Sequence, residues 1–399
     1  MVAPGRILFA WQLGANYGHL ATDLPVAECL RRKGHDVSFA VADMRVAAEI
    51  LSAPGFSFTP SPAPVSASVP SPPPASYAQI MHACGFGDHR DFVRLLDAWS
   101  ALITRADIGV LVADHAPMAV LAAHLLDIPA VMIGSGFTIP PMVSPLPSIR
   151  PWEITQSDRL QQVENIVLSN INASIARLGK PPFTRLAELF ARPKKLLTTF
   201  PELDPYGTRE EGSYIGPISS ESNSKAVKWR PGSLPRIFAY LRPTVPGIAA
   251  ILTALEESVA QVIVVMPGAS REMQQHFAST SVTLLSHAVP LTPLLSGADL
   301  VISYGGAGTI AQSLLAGVPM LLVPQNAEQY LSAMQVANLG AGVLVGLNQE
   351  DNDIAQVLQK LLADPTYRAG ARRIAARYQS FDRDAAASTA ASIIAQCLQ

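Results

Sequence analysis

Residues Tyr304 to Gln329 gather the side chains and glycines best suited to gripping an anion. The run opens Tyr304-Gly305-Gly306-Ala307-Gly308-Thr309, passes through Gly317-Val318-Pro319 and reaches Pro324-Gln325-Asn326-Ala327-Glu328-Gln329. Glycines at 305, 306 and 308 allow close backbone approach to a ligand, and a helix starting there points free amides at negative charge. Downstream, Glu328 and Gln329 set a carboxylate beside an amide, a pair able to read both sides of a diol. In the other half, His19 lies in Asn16-Tyr17-Gly18-His19-Leu20, where a first apolar run gives way to a helix, and Asp114 closes another apolar run in Ala113-Asp114-His115. An imidazole suits proton transfer near neutral pH, with a carboxylate on its second nitrogen to orient it. His19 as a helix cap or exposed residue, and Asp114 as the N-cap of a helix starting near Pro117, are the purely structural alternatives. His115 is a weaker competitor for a base. The cluster His82, Cys84, Asp88 and His89 matches no standard zinc spacing, so no metal site is assigned.

These residues need a scaffold. Apolar runs bounded by Gly or Pro alternate with amphipathic stretches, which predicts βαβ units and parallel sheets in both halves. The first-half strands are expected at Ile7 to Ala10, Val37 to Val41, Ile108 to Ala113, Ala130 to Ile133 and Leu196 to Thr199. Between the first two, a helix from about Leu20 to Lys33 ends at Gly34, the usual left-handed stop. The second-half strands are expected at Ile237 to Leu241, Val262 to Met266, Val282 to Leu285, Leu300 to Ser303, Met320 to Val323 and Gly342 to Val345. A helix from Thr309 to Ala316 stops at Gly317, and two helices, Pro365 to Gln379 and Asp384 to Leu398, close the chain.

The expected fold class is α/β, two Rossmann-like doubly wound domains with ligands at the carboxyl ends of the strands. Residues 1–219 form the first domain, 220–235 a linker, 236–379 the second domain, and 380–399 a C-terminal helix that packs back towards the first. The linker rests on Ser219-Ser220-Glu221-Ser222-Asn223-Ser224-Lys225 and Pro231-Gly232-Ser233-Leu234-Pro235, a composition suited to solvent. Ser61 to Ser76 holds six prolines and can form neither a helix nor a central strand; it reads as a solvated loop or a lid.

At 399 residues, with 49% hydrophobic and only 15% charged, the chain has core enough for two domains. A formal net charge of −2 without a long basic run excludes the footprint of a nucleic-acid binder. Cys29, Cys84 and Cys397 are too few and scattered for a disulfide framework, which fits a reducing compartment. The apolar start Ile7-Leu8-Phe9-Ala10 is too short for a signal peptide, and no apolar run reaches the roughly 18 to 20 residues that span a bilayer. A cytoplasmic protein without a transmembrane segment is expected.

Taken together, the Gly-His turn after the first strand, the two Rossmann-like halves and the glycine motif resemble the GT-B glycosyltransferases. Within them, the chain is similar to the bacterial relatives of UDP-glycosyltransferases that decorate macrolides, flavonoids and other lipophilic natural products. The similarity spans nearly the whole length and is most specific in the second half, where Gly-Gly-x-Gly-Thr, Gly-Val-Pro and Pro-x-x-x-Glu-Gln are linked constraints. It implies two domains facing each other across a cleft, a nucleoside-diphosphate sugar such as a UDP- or dTDP-sugar as co-substrate, no further cofactor, and a lipophilic small-molecule or lipid-linked acceptor. A homodimer stays open.

Carried over by that resemblance, Gly305, Gly306, Gly308 and Thr309 hold the diphosphate, Glu328 and Gln329 bind the transferred sugar, and the loop Ser286 to Leu291, with His287 and Val289, cradles the base. His19 becomes the general base and Asp114 its orienting carboxylate, with Trp11, His82, Phe86, Phe137 and Met142 lining the acceptor site. The chain departs from the family where Tyr304 replaces a His that contacts the diphosphate and Gln312 replaces an acid that binds the ribose. In Arg242-Pro243-Thr244, Arg242 is a candidate to supply the cation that Tyr304 lacks. The implied reaction is an inverting, metal-independent sugar transfer to a hydroxyl or other nucleophile of the acceptor. A degenerate GT-B protein that binds a nucleotide sugar or partner without turnover, and a GT-B-fold nucleotide-sugar epimerase, are the alternatives.

Overall fold

Short apolar runs that bury both faces become parallel strands, and the computed structural model contains two sheets of them. It describes residues 5–15, 17–64, 73–154, 156–220, 224–277, 282–346 and 353–398. The chain divides into unit 1, Met1–Ser220 with Asp382–Gln399, and unit 2, Glu221–Phe381.

Unit 1 holds β1 (Arg6–Trp11), β2 (Asp36–Val41), β3 (Ser57–Pro60), β4 (Val110–Asp114), β5 (Ala130–Gly134), β6 (Lys194–Leu197) and β7 (Ser213–Tyr214). Their order is β3-β2-β1-β4-β5-β6-β7, every pair parallel. Unit 2 holds β8 (Arg236–Tyr240), β9 (Gln261–Val265), β10 (Val282–Leu285), β11 (Leu300–Ser303), β12 (Met320–Leu322) and β13 (Gly342–Leu344), ordered β10-β9-β8-β11-β12-β13 and again parallel. Both sheets follow the doubly wound plan, whose direction reverses between β1 and β4 and between β8 and β11. In doubly wound sheets ligands bind outside the carboxyl ends of the strands at such a reversal.

The expected strands are all present, with ends shifted by a residue or two. The expectation lacked β3 and β7, short strands at the edges of their sheet, because Ser57–Pro60 is mostly exposed and carries no apolar run. The first helix, Gly18–Arg32, starts two residues before the expected Leu20 and is followed by Gly34 at φ +91°. The last helix, Arg383–Ala395, lies in unit 1 and packs its Ala386, Ala387, Ala390 and Ala391 side on the unit, touching the Gly18–Arg32 helix.

Much of the proline-rich segment, 65–72, and linker residues 221–223 lie outside the described residues. Ser76, at the end of the former, caps the Tyr77–Met81 helix by accepting from the Gln79 amide. Among the described residues no helix is long and apolar enough to cross a membrane.

Candidate active site

Register explains the meeting of His19 and Asp114. Trp11 and Asp114 are partners at the carboxyl ends of β1 and β4, the two strands that flank the reversal in unit 1. The chain leaving β1 turns through Gly14, at φ +88°, into the first turn of the Gly18–Arg32 helix, which carries His19. His19 Nδ1 lies 2.7 Å from Asp114 Oδ2, with side-chain exposures of 15% and 5%, so solvent screens the pair weakly. The carboxylate accepts from Nδ1–H, which leaves the Nε2 lone pair as the proton acceptor.

Neither residue takes its structural alternative. Tyr17 is the N-cap of the helix bearing His19, and Ala116 that of the Pro117–Leu125 helix, which has no side-chain cap bond, so Asp114 does not cap it. Trp11 stacks on the His19 ring, centroids 5.2 Å apart, and its indole N–H donates to the Leu13 carbonyl at 2.8 Å. At 1% exposure Trp11 is the floor beneath the imidazole, a correction to its expected place on the acceptor wall.

Two further bonds stitch the loops after β1 and β4. The Leu13 amide donates to the His115 carbonyl at 3.0 Å, and the Met118 amide donates to Gln12 Oε1 at 3.1 Å. His115 is buried in the left-handed region at φ +49°, its ring 6.1 Å from that of His19. Burial, and secondarily the charge of His19, pull its pKa down to about 3. A neutral, enclosed imidazole with no hydrogen-bond partner on Nε2 is a poor base near neutrality.

Gly14 went unnoticed in the sequence. A Cβ there would stand 2.5 Å from His19 Nε2 and 3.4 Å from His115 Nδ1. The absent side chain keeps the reactive face of His19 open, and the positive φ independently favours glycine. Asp23 was also missed, although an acid four residues after His19 on one helix is a readable signal.

The other expected acceptor residues are dispersed. Phe137 is buried with its ring edge-on to His115 at 6.4 Å, and Met142 is half-buried, its amide donating to Glu211 Oε1 at 3.3 Å. His82 is exposed. Phe86 is fully buried in the core and edge-on to Phe92 at 5.5 Å; packing, not a ligand, accounts for it. In the neighbouring Cys/His cluster, Asp88 accepts from the Arg90 and Asp91 amides as a helix cap, and burial pushes the Cys84 thiol up to about 11. Among the described residues no three metal-ligating side chains cluster.

Unit 2 uses its own reversal in the same way. The loop after β8 carries Arg242, and the turn after β11 carries Tyr304. The Arg242 guanidinium lies 4.9 Å from the centre of the Tyr304 ring and donates to Tyr304 Oη at 3.5 Å. Gly306 caps the Ala307–Leu315 helix without a side-chain bond to its first-turn amides. Gly305, at φ +88°, sits where a Cβ would come within 3.0 Å of the Gln329 carbonyl, so only glycine lets the two segments approach so closely. Gln325 Nε2 donates to the Thr244 carbonyl at 3.0 Å, and Gln329 Oε1 accepts from the Gln325 amide at 2.8 Å. Residues 242–244, 304–309 and 325–329 therefore form one connected set of loops.

Gly308, Gln312, Glu328 and Gln329 are partly exposed in or beside this set, whereas Thr309 is buried. In the segment expected to cradle a base, His287 is exposed and Val289 buried.

Residues 249–394 match the family "Erythromycin biosynthesis protein CIII-like, C-terminal domain". A PGL/p-HBAD biosynthesis glycosyltransferase of Mycobacterium tuberculosis (strain ATCC 25177 / H37Ra) is 27% identical over 188 residues, 45% of this chain and 43% of that protein. The erythronolide mycarosyltransferase of Saccharopolyspora erythraea is 36% identical over 87 residues, 22% of this chain and 21% of its own length. The matches thus span less than half the length of these curated relatives. The spinosyn rhamnosyltransferase SpnG complexed with thymidine diphosphate superposes with a TM-score of 0.68 at 16% identity, covering 96% of this chain and 98% of that one. Residues 249–394 are thus similar to an erythromycin biosynthesis protein CIII-like C-terminal domain, and the chain has two parallel-sheet α/β domains, the GT-B fold of solved glycosyltransferases.

Proposed function

We propose that the chain is an inverting, metal-independent glycosyltransferase that moves a sugar from a nucleoside-diphosphate donor to a hydroxyl of a lipophilic small-molecule acceptor. The observation that carries this reading is the 2.7 Å contact between His19 Nδ1 and Asp114 Oδ2 at the β1/β4 reversal. His19 Nε2 takes the acceptor's hydroxyl proton as its oxygen attacks the anomeric carbon, and the bond from that carbon to the diphosphate oxygen breaks with its electron pair leaving on the diphosphate. Asp114 stabilises the imidazolium as it forms.

In unit 2, the amides of Gly306, Gly308 and Thr309 at the start of the Ala307–Leu315 helix hold the departing diphosphate. Arg242 adds the positive charge that Tyr304 lacks, and Glu328 and Gln329 bind the sugar hydroxyls. Thymidine diphosphate in a structure of the same fold supports a dTDP-sugar as the first donor to try. Because helix amides and a guanidinium neutralise the leaving group, EDTA leaves the rate unchanged in this mechanism.

The test incubates the full chain with dTDP- and UDP-sugars and a panel of macrolide and polyphenol aglycones. A glycoside whose anomeric configuration is opposite to the donor's supports the proposal. Retention of configuration, loss of activity in EDTA restored by a divalent cation, or epimerisation of the donor without acceptor contradicts it.

A further inference from the structure

We propose that Asp23 is a third member of this site, a positioning residue whose neutral carboxyl leaves one buried negative charge, on Asp114, for His19. The proposal rests on the His19–Asp114 reading above. Asp23 follows His19 by four residues on the Gly18–Arg32 helix, so the two share a face. It has no exposed surface, and among the described residues neither of its oxygens has a hydrogen-bond partner. A carboxyl group in that state costs stability in either form, and far more when ionised, so it holds its proton and calls for a functional reason for being there.

The surrounding charges favour the proton. The helix packs against β2, the Met44–Leu51 helix and the Arg383–Ala395 helix. The charged groups those elements carry are Asp36, Arg45, Glu49, Arg383 and Asp384; Asp36 is 75% exposed against Arg6, and Arg45 pairs with Asp43 and Glu49 at the surface. Burial and then the like charge of Asp114 push the Asp23 carboxyl well above its usual range. Two carboxyls in one enclosed site hold one charge between them, and the one bonded to His19 keeps it. A charged Asp23 would set a second negative charge near the imidazole, which would then hold its proton more tightly and need a higher pH to act as a base.

The sign of the stability effect follows. The unfolded chain releases this proton near 3.8, whereas the folded chain keeps it to higher pH. The stability it contributes is present below that value and is lost as pH rises towards the folded value. Asp23→Asn preserves the shape but cannot ionise, and Asp23→Leu is a second variant without a polar group.

Melting of the full-length wild type and both variants is followed from about pH 5 to about pH 9. The variants should melt above wild type, by a margin that widens with pH; a margin that is constant or reversed overturns the proposal. The pH profile of kcat/KM is the second readout: its acid limb, set by deprotonation of His19, should coincide in wild type and Asp23→Asn, because both set a neutral group near the imidazole. An acid limb that moves to lower pH in Asp23→Asn would show that wild-type Asp23 is charged there and would overturn the role at the dyad. If no donor is turned over by any of the proteins, the glycosyltransferase reading fails, while the melting comparison still decides whether Asp23 holds a proton.

Discussion

The guanidinium of Arg242 lies over the ring of Tyr304, 4.9 Å from its centre, with the two residues on loops leaving the strands that flank the reversal of the second sheet. Tyr304 alone supplies one neutral hydrogen bond, whereas the pair supplies a cation held in place by an aromatic face. Tyr304 lies just before the helix that starts at Ala307, so in the proposed donor site the charge of Arg242 and the helix amides act on the same ligand.

Arg242→Ala should therefore weaken binding of a nucleoside diphosphate by about 1.5 to 3 kcal/mol, the range for a hydrogen bond to a charged group. Tyr304→Phe should cost less, since the ring that supports the guanidinium survives. Calorimetric titration with dTDP and UDP measures both. Unchanged affinity in Arg242→Ala would remove the arginine from the donor site.

Gly14→Ala should abolish transfer while leaving nucleotide affinity intact. The new methyl would meet His19 Nε2 at 2.5 Å, and the backbone at φ +88° adds a strain of about 1 kcal/mol or more. Kinetics and calorimetry on the same preparation separate the two effects. Near-normal turnover would show that the space beside Nε2 is not where the acceptor hydroxyl enters.

His115 sets a pH window for stability. Its imidazole takes up a proton near 6.5 in the unfolded chain but only at about 3 in the folded one. Between those values the unfolded state binds the extra proton, so stability falls as pH is lowered through the window. His115→Asn tolerates the left-handed backbone and removes the titration. Denaturant titrations at about pH 7 and about pH 4.5 should show a smaller acid loss for the variant than for wild type. Equal losses would place the acid sensitivity elsewhere.

Most of the scaffold was legible because strands buried on both faces read as continuous apolar runs, such as Val110 to Ala113 and Leu300 to Ile302. The edge strands β3 and β7 escaped because a partly solvated strand of two to four residues leaves no such run. At the site, His19, Asp114 and the glycine turn stood out because their residue types are tied to chain breaks between strand and helix. Trp11 and Phe86 were read as acceptor walls, since a sequence marks an aromatic residue near a motif but not which side of the backbone it packs on. Asp23 and the left-handed His115 depend on neighbours from other strands, so their protonation could be read only once β1 and β4 were side by side.

The most direct test of the central claim is the steady-state turnover of His19→Ala beside its nucleoside-diphosphate affinity and melting temperature. Loss of a general base should lower turnover by about two to four orders of magnitude, with binding and fold preserved. A correctly folded His19→Ala protein that turns over within about tenfold of wild type would contradict the assignment of His19 as the base.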